Sequence, residues 1–426
     1  MNKKLPIFLL LITAVWLTPA AARMNLSLNG YYKSFFIAFE LPDYLQSQGI
    51  QEASDTPPLG AVNNRVRLKM SARFSKWLSL HAAYDVSPTV QDPRLFRQDI
   101  LMVFPEPASY RFDDFFERLY PRSGKDVGSF AIFHNLDRFY FTLKTGFTDI
   151  FIGRQAIAWG SARVINPTDV IAPFAFNELD TEERRGVDAL RVRLPLGMMD
   201  ELDFGFVAGQ DFAWKKSAFF ARGKVYILKT DLSLLLLGFR QHLLLGFDMT
   251  RAIGGAGFWL EAAYVVPEFF KKEDEKLDRD NYFRASIGLD YNFGGKTYGF
   301  AEYHFNAAGR QKPEDYLENF NSPAYQDGAV YLMGKHYLNV GITYQIHPLI
   351  PFTGIIIWNL SDGSLVLSPT AEYNIAENIY LMLGAYIGLG KKPEQVLSAF
   401  ALPETRLQSE FGAYPGMFFT AFRIYF

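Results

Sequence analysis

Residues 65–74 alternate with a period of two between cationic or small polar side chains and apolar side chains. The odd positions hold Arg65, Arg67, Lys69 and Arg73, and apolar residues take the even positions. Successive strand side chains point to opposite faces, so one face of this strand is cationic and the other apolar. A soluble sheet rarely buries four cations on one face, whereas a barrel strand separates lipid from a wet lumen. The pattern therefore predicts a membrane β-barrel.

The whole chain divides into about eighteen such segments, an even number, with sixteen as the alternative count. The predicted strands lie near residues 25–39, 62–74, 77–86, 137–146, 148–158, 187–195, 200–209, 217–228, 230–239, 242–251, 256–265, 281–292, 297–306, 336–346, 352–360, 364–373, 378–388 and 416–426. No stretch reaches the roughly 18 uninterrupted apolar residues of a spanning helix. The fold class predicted is therefore all-β: a transmembrane antiparallel up-and-down β-barrel.

The chain ends on an aromatic residue within an alternating strand. Counting back from Phe426, one face carries Ile424, Phe422 and Phe418, and Arg423 falls on the other. This form is similar to the C-terminal signature of bacterial outer-membrane barrels, so Phe426 is predicted to be read by the barrel-assembly machinery. We also expect this strand to pair antiparallel with the first strand and close the ring.

Long and short connections alternate along the chain. The long ones, at residues 40–61, 87–136, 159–186, 266–280, 307–335 and 389–415, each follow an odd-numbered strand, and tight turns follow the even ones. Single-chain outer-membrane barrels have short periplasmic turns and longer external loops. We therefore expect the long loops outside the cell and both chain ends in the periplasm.

The N-terminus predicts export. Lys3 and Lys4 precede an apolar run from Leu5 to Leu17, and three alanines ending at Ala22 follow. This arrangement is typical of a secretory signal peptide over residues 1–22, which leaves residues 23–426 as a single barrel in the bacterial outer membrane. The chain has no cysteine, so disulfides and thiol chemistry are excluded, and its net charge of −2 does not suggest nucleic acid.

A barrel of this size predicts a pore. An open sheet in hydrocarbon would leave unsatisfied backbone groups at two edges, each costing several kcal/mol, so the sheet must close. Barrels of 16–18 strands leave an aqueous channel, whereas eight-stranded barrels fill with side chains.

Several short motifs cluster between residues 110 and 195. They are Asn135-Leu136-Asp137-Arg138, Gly153-Arg154-Gln155, Trp159-Gly160, Asn166-Pro167-Thr168-Asp169 and Arg184-Arg185-Gly186-Val187-Asp188-Ala189-Leu190. This combination resembles a group of porin-like outer-membrane barrels of Gram-negative bacteria without a firm functional assignment. The resemblance implies architecture and location more than substrate.

The loop at residues 159–186 has two interpretations. Asn166-Pro167-Thr168-Asp169 reads as a turn, and Asp169 could cap a short helix over residues 170–178. As the third external loop it is similar in position to the porin loop that narrows the lumen, so a constriction loop and an ordinary external loop both remain open. The candidate constriction residues are Arg163, Asn166, Asp169, Asp180, Glu182, Glu183, Arg184 and Arg185.

Charges on the predicted lumen face differ between the two halves of the ring. The basic candidates are Arg65, Arg67, Lys69, Arg73, Arg138, Lys144, Arg191, Arg193, Arg222 and Lys224, and the acidic ones are Asp248, Glu261, Asp290 and Glu302. We expect a basic wall facing a weaker acidic one, with Asp180, Glu182 and Glu183 set against the basic side. Such walls tune ion selectivity, although solvated or paired arginines would give the same pattern.

Residues 94–120, within the loop at 87–136, are unusually apolar for an external loop. The apolar positions are Phe96, Ile100, Leu101, Phe104, Phe112, Phe115, Phe116 and Leu119. Two interpretations are open: a helix that packs over or inside the mouth, and a loop that packs on itself.

The function expected from the sequence is passive diffusion of small polar or anionic solutes through an outer-membrane channel, without a cofactor, a metal or a catalytic residue. The alternatives are a substrate-specific or export channel with a periplasmic partner, and an outer-membrane enzyme or surface receptor on a closed barrel. Outer-membrane lipid and lipopolysaccharide are expected partners, and the sequence leaves homo-oligomerisation open.

Overall fold

The structure is a computed structural model that describes residues 25–40, 58–96, 110–113, 117–122, 124–125, 127–174, 178–272, 280–327, 330–397 and 403–426. The predicted signal peptide, residues 1–22, lies outside these ranges. In the described residues, no helix has the length and hydropathy needed to cross a membrane.

The described part of the chain forms twenty-one strands. They are β1 (Asn25–Phe39), β2 (Leu59–Arg73), β3 (Leu78–Gln91), β4 (Glu117–Tyr120), β5 (Phe130–Lys144), β6 (Asp149–Gln155), β7 (Val187–Pro195), β8 (Glu201–Val207), β9 (Ala218–Ile227), β10 (Thr230–Phe239), β11 (His242–Ile253), β12 (Ala256–Val266), β13 (Tyr282–Phe293), β14 (Thr297–Asn306), β15 (His336–His347), β16 (Ile350–Asn359), β17 (Leu365–Ala376), β18 (Ile379–Leu389), β19 (Glu394–Leu397), β20 (Pro403–Arg406) and β21 (Met417–Tyr425). Eighteen of them, all except β4, β19 and β20, pair antiparallel in sequence order and form a closed ring. The predicted fold class and the count of eighteen are confirmed.

The ring closes between the first and last strands. β1 pairs antiparallel with β21 from Tyr31 opposite Tyr425 to Phe39 opposite Met417. The last residue continues the ladder, because the Gly30 N–H donates to the Phe426 carbonyl at 2.7 Å and the Phe426 N–H donates to the Gly30 carbonyl at 3.0 Å. Glycine is required here, since a Cβ at Gly30 would lie 2.3 Å from the Arg67 carbonyl oxygen. The predicted seam is confirmed.

The two faces of the wall differ as the alternation predicts. In β2, Leu68 is 57 % exposed on the outer face while Arg67 is buried on the inner face. In β21, Phe418 is exposed outside, and Phe419 and Ala421 are buried inside. The outer face is thus apolar, as a lipid-facing surface requires, and the inner face carries the charged side chains together with some buried apolar ones.

The long connections gather at one end of the barrel. They span residues 40–58, 92–129, 156–186, 208–217, 267–281, 307–335 and 390–416, and two short ones, 240–241 and 360–364, lie at the same end. The opposite end has only short turns, such as 294–296, where Gly294 and Gly295 have positive φ values of 74° and 83°. Glycine adopts such angles at no steric cost.

The two interpretations of residues 94–120, a helix at the mouth and a loop that packs on itself, fall largely on residues outside the described ranges and stay open. Residues 117–120 form β4, which pairs with β5, and a short 3-10 helix spans Pro93–Phe96. Phe112 and Leu119 are partly exposed. The side chains of the other six apolar candidates, at positions 96, 100, 101, 104, 115 and 116, lie outside the described residues.

Candidate functional site

The connection from β6 to β7, residues 156–186, crosses the interior of the barrel. We call it the inward loop. Its first half contacts β12, β13 and β14, and its second half contacts β1, β2 and β21. These two groups of strands lie on opposite sides of the ring, and the wall residues that the loop contacts belong to the inner face. The loop therefore spans the lumen.

Glu261 of β12 holds the first half of the loop. Its carboxylate accepts hydrogen bonds from the backbone N–H groups of Ser161 and Ala162, both at 3.0 Å, and of Thr168 at 2.8 Å. The Thr168 hydroxyl donates a fourth bond at 2.7 Å. The side chain is fully buried. A buried carboxylate needs such donors, so Glu261 fixes the loop backbone and the loop in turn solvates Glu261.

Glu302 of β14 makes a second anchor. Its carboxylate accepts the N–H groups of Arg163 at 2.6 Å and Ile165 at 3.1 Å. The indole of Trp259 and the amide of Asn339 donate from the wall at 3.1 and 3.2 Å. Glu302 is fully buried, so both acidic anchors are shielded from the lumen rather than lining it.

The remaining acidic candidates lie beside these anchors. Asp290 accepts hydrogen bonds from the Arg163 guanidinium at 2.8 Å and from the Tyr298 hydroxyl at 2.9 Å. Asp248 lies opposite Glu261 in the ladder between β11 and β12. The predicted acidic wall therefore lies against the loop.

The predicted turn at Asn166 is present, but the predicted helix is wrong. Residues 170–174 and 178 are not helical, since Pro173 disfavours the helical conformation for the residue before it. Asp169 is buried and pairs with Arg184 of the same loop instead of capping a helix. Burial raises the pKa of Asp169 to about 6, against the opposing effect of Arg184. Arg185, next to this pair, is exposed.

The second half of the loop lies on cations of β1 and β2. The Lys33 ammonium donates to Asp180 at 2.8 Å and to Glu182 at 2.6 Å, and it is fully buried. Arg65 donates to the other oxygen of Asp180 at 3.1 Å. Burial alone would raise the pKa of Glu182, but hydrogen bonds from Lys33 and Tyr425 outweigh burial and lower it.

Glu183 reaches the next cations along β2. It forms an ion pair with Lys69 and lies 3.7 Å from an Arg67 nitrogen. Arg67 is already paired within the wall, with Asp85 at 3.2 Å and Asp137 at 2.6 Å.

A β-bulge in β5 makes the Asp137 contacts possible. Leu136 and Arg138 pair with adjacent residues of β3, and Asp137 is left over between them. The bulge turns two consecutive side chains inward, so Asp137 contacts Arg67, Arg138 and Arg111 of the loop at 92–129. Arg111 is buried and also donates to the Gly186 carbonyl at 2.8 Å.

The other basic candidates also face the interior, and most are paired within the wall. Arg191 pairs with Asp203, Arg222 with Glu201 at 2.9 Å and Lys224 with Asp231 at 3.0 Å, while Arg193 lies 3.6 Å from Glu201. Arg73 and Lys144 are exposed at the end with the short turns. The basic side of the lumen therefore carries interleaved carboxylates that the alternation of cations alone did not show.

A polar cluster ties three external connections together at the mouth. Glu410 is buried and accepts the Met333 N–H at 2.9 Å, the Tyr337 hydroxyl at 2.5 Å and the Asn359 amide at 2.7 Å. Asp362 accepts the Glu410 N–H at 2.7 Å. Apolar residues around this cluster pack against Val164 and Ile165, so the mouth rests on the inward loop.

Solved structures with the same architecture are outer-membrane porins. Acinetobacter baumannii OccAB2 matches with a TM-score of 0.55 at 9 % identity, covering 94 % of this chain and 98 % of that chain. Pseudomonas aeruginosa OccK8 (OprE) gives the same four values. P. aeruginosa OpdK with vanillate matches with a TM-score of 0.53 at 8 % identity, covering 94 % and 98 %.

The fold is that of an outer-membrane porin. At these identities the likeness shows the fold alone. No family model and no curated protein matches the sequence, so the resemblance carried by the motifs between residues 110 and 195 stays a prediction.

Sequence reasoning missed several residues of the lumen network and of the mouth cluster, of which three are instructive. Lys33 lies in a stretch that is aromatic or apolar on both faces, so its odd or even position did not predict which face it occupies. Asp137 faces inward only because of the bulge. Glu410 lies in a long loop, where the sequence has no periodicity to follow. A lone lysine among aromatics was the one available clue.

Proposed function

We propose that this protein is an outer-membrane channel for passive diffusion of small polar or anionic solutes, and that the inward loop is its constriction. The observation that carries the proposal is that the described parts of the inward loop are held on both sides of the lumen, by Glu261 and Glu302 on one wall and by Lys33 and Arg65 on the other. A segment that is fixed at two opposite walls narrows a channel without blocking it.

The porin fold supports the proposal, because an eighteen-stranded barrel encloses an interior too wide for wall side chains alone to fill. The structure of OpdK, similar in fold, was determined with vanillate, a small carboxylate. Arg65 and Lys69, the partly exposed cations beside the second half of the loop, would favour anions in a narrow path, where local charge sets selectivity.

This function implies a location and an orientation. The apolar outer face fits the outer membrane, with the long connections outside and the short turns in the periplasm. The external loops would then meet lipopolysaccharide, and Phe426 would present the assembly signal from the periplasmic end.

Planar lipid bilayers test the channel. Purified full-length protein should give stable, stepwise conductance, with a reversal potential that indicates anion preference in a salt gradient. Protein that inserts as a closed barrel, shown by heat-modifiable gel mobility, yet conducts no ions would overturn the proposal and favour the receptor or enzyme alternatives.

A further inference from the structure

Three cations form a row across the seam of the barrel. In the strand ladders Lys33 of β1 lies opposite Arg423 of β21 on one side and opposite Arg65 of β2 on the other. All three belong to the inner face. Like charges directly opposite each other destabilise a sheet, so this row requires anions close by.

The wall supplies anions for some of these cations and not for others. Arg423 pairs with Glu372 of β17, and Arg67 pairs with Asp85 and Asp137. By contrast, every ion pair that Lys33, Arg65 and Lys69 make within the described residues is with a carboxylate of the inward loop. Asp85 of the wall also acts electrostatically on Arg65. The direct ion-pair partners of these three cations nevertheless come from the loop.

Several members of the loop pairs are partly exposed. The side chains of Arg65, Glu182 and Lys69 are 40 %, 39 % and 33 % exposed. Ion pairs in contact with water are weak, because water solvates both separated partners. Lys33, by contrast, is fully buried, and leaving its charge without a partner would be costly. The loop carboxylates can therefore exchange for another oxyanion only if that oxyanion also restores the charge balance at Lys33.

We propose that Lys33, Arg65 and Lys69 form a binding site for a small multivalent oxyanion, and that Asp180, Glu182 and Glu183 occupy it as an internal ligand. We call the three cations the oxyanion site. A solute in the lumen replaces the loop carboxylates there, which moves the second half of the loop away from the wall. The inference deepens the proposed channel function and rests on it for delivery of the solute.

The stoichiometry of charge selects a multivalent ligand. Asp180 bridges Lys33 and Arg65, Glu182 binds Lys33, and Glu183 binds Lys69, so three carboxylates balance three cations. A monovalent anion would leave two cations uncompensated when the loop departs, whereas a tricarboxylate or a comparable oxyanion restores the balance. Citrate is the matching probe, and acetate is its monovalent counterpart.

Calorimetric titration of citrate into the full-length protein in detergent tests the site. The loop variant Asp180→Asn/Glu182→Gln/Glu183→Gln removes the internal competitor and should bind citrate at least about tenfold more tightly than the wild type, a difference of about 1.4 kcal/mol. Acetate should bind neither form measurably. An unchanged citrate affinity in the loop variant would overturn the proposal.

Two further variants on the loop-variant background locate the ligand. Lys33→Gln/Arg65→Gln should abolish citrate binding, because it removes two cations of the oxyanion site. Lys229→Gln/Lys296→Gln removes the same charge from exposed short turns and should leave binding unchanged. If both double variants lost citrate binding equally, binding would depend on overall charge, and the oxyanion site would be refuted.

The binding measurement requires no ion current, so the two proposals fail separately. Citrate binding as described, in a barrel without conductance, would refute the channel and keep the oxyanion site. Conductance without the gain in citrate affinity would keep the channel and refute the oxyanion site. Heat-modifiable gel mobility verifies that each variant is folded.

Discussion

The backbone N–H of Arg163 donates to the carboxylate of Glu302 at 2.6 Å, which joins a loop that leaves β6 to a strand across the barrel. Glu302 also accepts bonds from two wall residues, which help to orient its carboxylate toward the loop. Hydrogen bonds to a charged group contribute about 1.5–3 kcal/mol each. The docked loop therefore depends on a small number of carboxylate contacts.

Replacing Glu302 should loosen that attachment locally. Glu302→Gln loses the charge and one acceptor oxygen, so the amides of Arg163 and Ile165 should exchange hydrogen faster, with protection lowered by about 1.5–3 kcal/mol. Hydrogen–deuterium exchange of residues 160–170 measures this. Strands β9 and β10, away from Glu302, are the internal control, and equal exchange in both proteins would exclude Glu302 as an anchor.

The polar cluster at the mouth should respond to pH. Burial raises the pKa of Glu410 to about 7, with a further rise from nearby Asp362, against hydrogen bonds from Tyr337, Met333 and Asn359. If the connection 390–416 left the cluster, the pKa of Glu410 would return to near its ordinary value of 4.5. The contribution of Glu410 to the stability of the mouth cluster is therefore fully present below about pH 4.5. It is lost as the pH rises toward and through about 7, by roughly 3 kcal/mol in total.

Amide exchange of residues 330–337 and 407–412 at pH 6 and pH 8, corrected for the intrinsic rates, checks this pH dependence. The titratable groups that face Glu410 are Asp362, Tyr316, Tyr325 and Tyr337. Glu410→Gln mimics the neutral form and should remove the difference between the two pH values. Glu318→Gln, an exposed site on the connection 307–335 that contacts the cluster through Met333, should keep it. If the exchange rates of Glu410→Gln still differed between pH 6 and pH 8, a group other than Glu410 would be responsible for the pH dependence.

Arg65 should contribute to anion preference more than Arg67 does. Arg65 borders the lumen, whereas Arg67 is buried between Asp85 and Asp137, so charge reversal at Arg67 would disrupt a wall network instead of changing the path of ions. Arg65→Glu should shift the reversal potential in a salt gradient toward cations. Lys229→Glu, in an exposed turn, is the matched control, and an unshifted potential for Arg65→Glu would remove this residue from the conduction path.

The terminal residue should matter for assembly. Phe426 continues the ladder of the seam, and its ring packs on Gly30. Deleting Phe426 should lower the yield of heat-modifiable barrel in membranes far more than Phe418→Ala, which removes an exposed phenylalanine from the same strand. Barrels of the deletion variant that still insert should conduct normally. Equal yields for the two variants would contradict a role of Phe426 in assembly.

The barrel could be predicted from sequence because two independent constraints agree. Alternation with a period of two fixes which residues of β2 face inward, and the satisfaction of backbone hydrogen bonds in lipid requires that β1 and β21 meet. Each strand has its own alternating pattern, so a wrong prediction for one strand does not affect the prediction of the others.

The lumen network was harder to predict, since it depends on contacts between distant segments. The two-residue alternation predicted that Arg65 and Lys69 face the interior. The contact of Glu183 with Lys69, however, depends on the path of a loop whose sequence has no periodicity. The bulge at Asp137 reverses the parity rule locally, and Pro173 prevents the helix that Asp169 was expected to cap.

Single-channel conductance of the wild type beside Glu261→Gln/Glu302→Gln tests the central claim most directly. Both substitutions release the first half of the inward loop from its wall, so the variant should give a larger conductance step than the wild type at the same voltage and salt concentration. Equal steps from two folded barrels would contradict a constriction formed by residues 156–186.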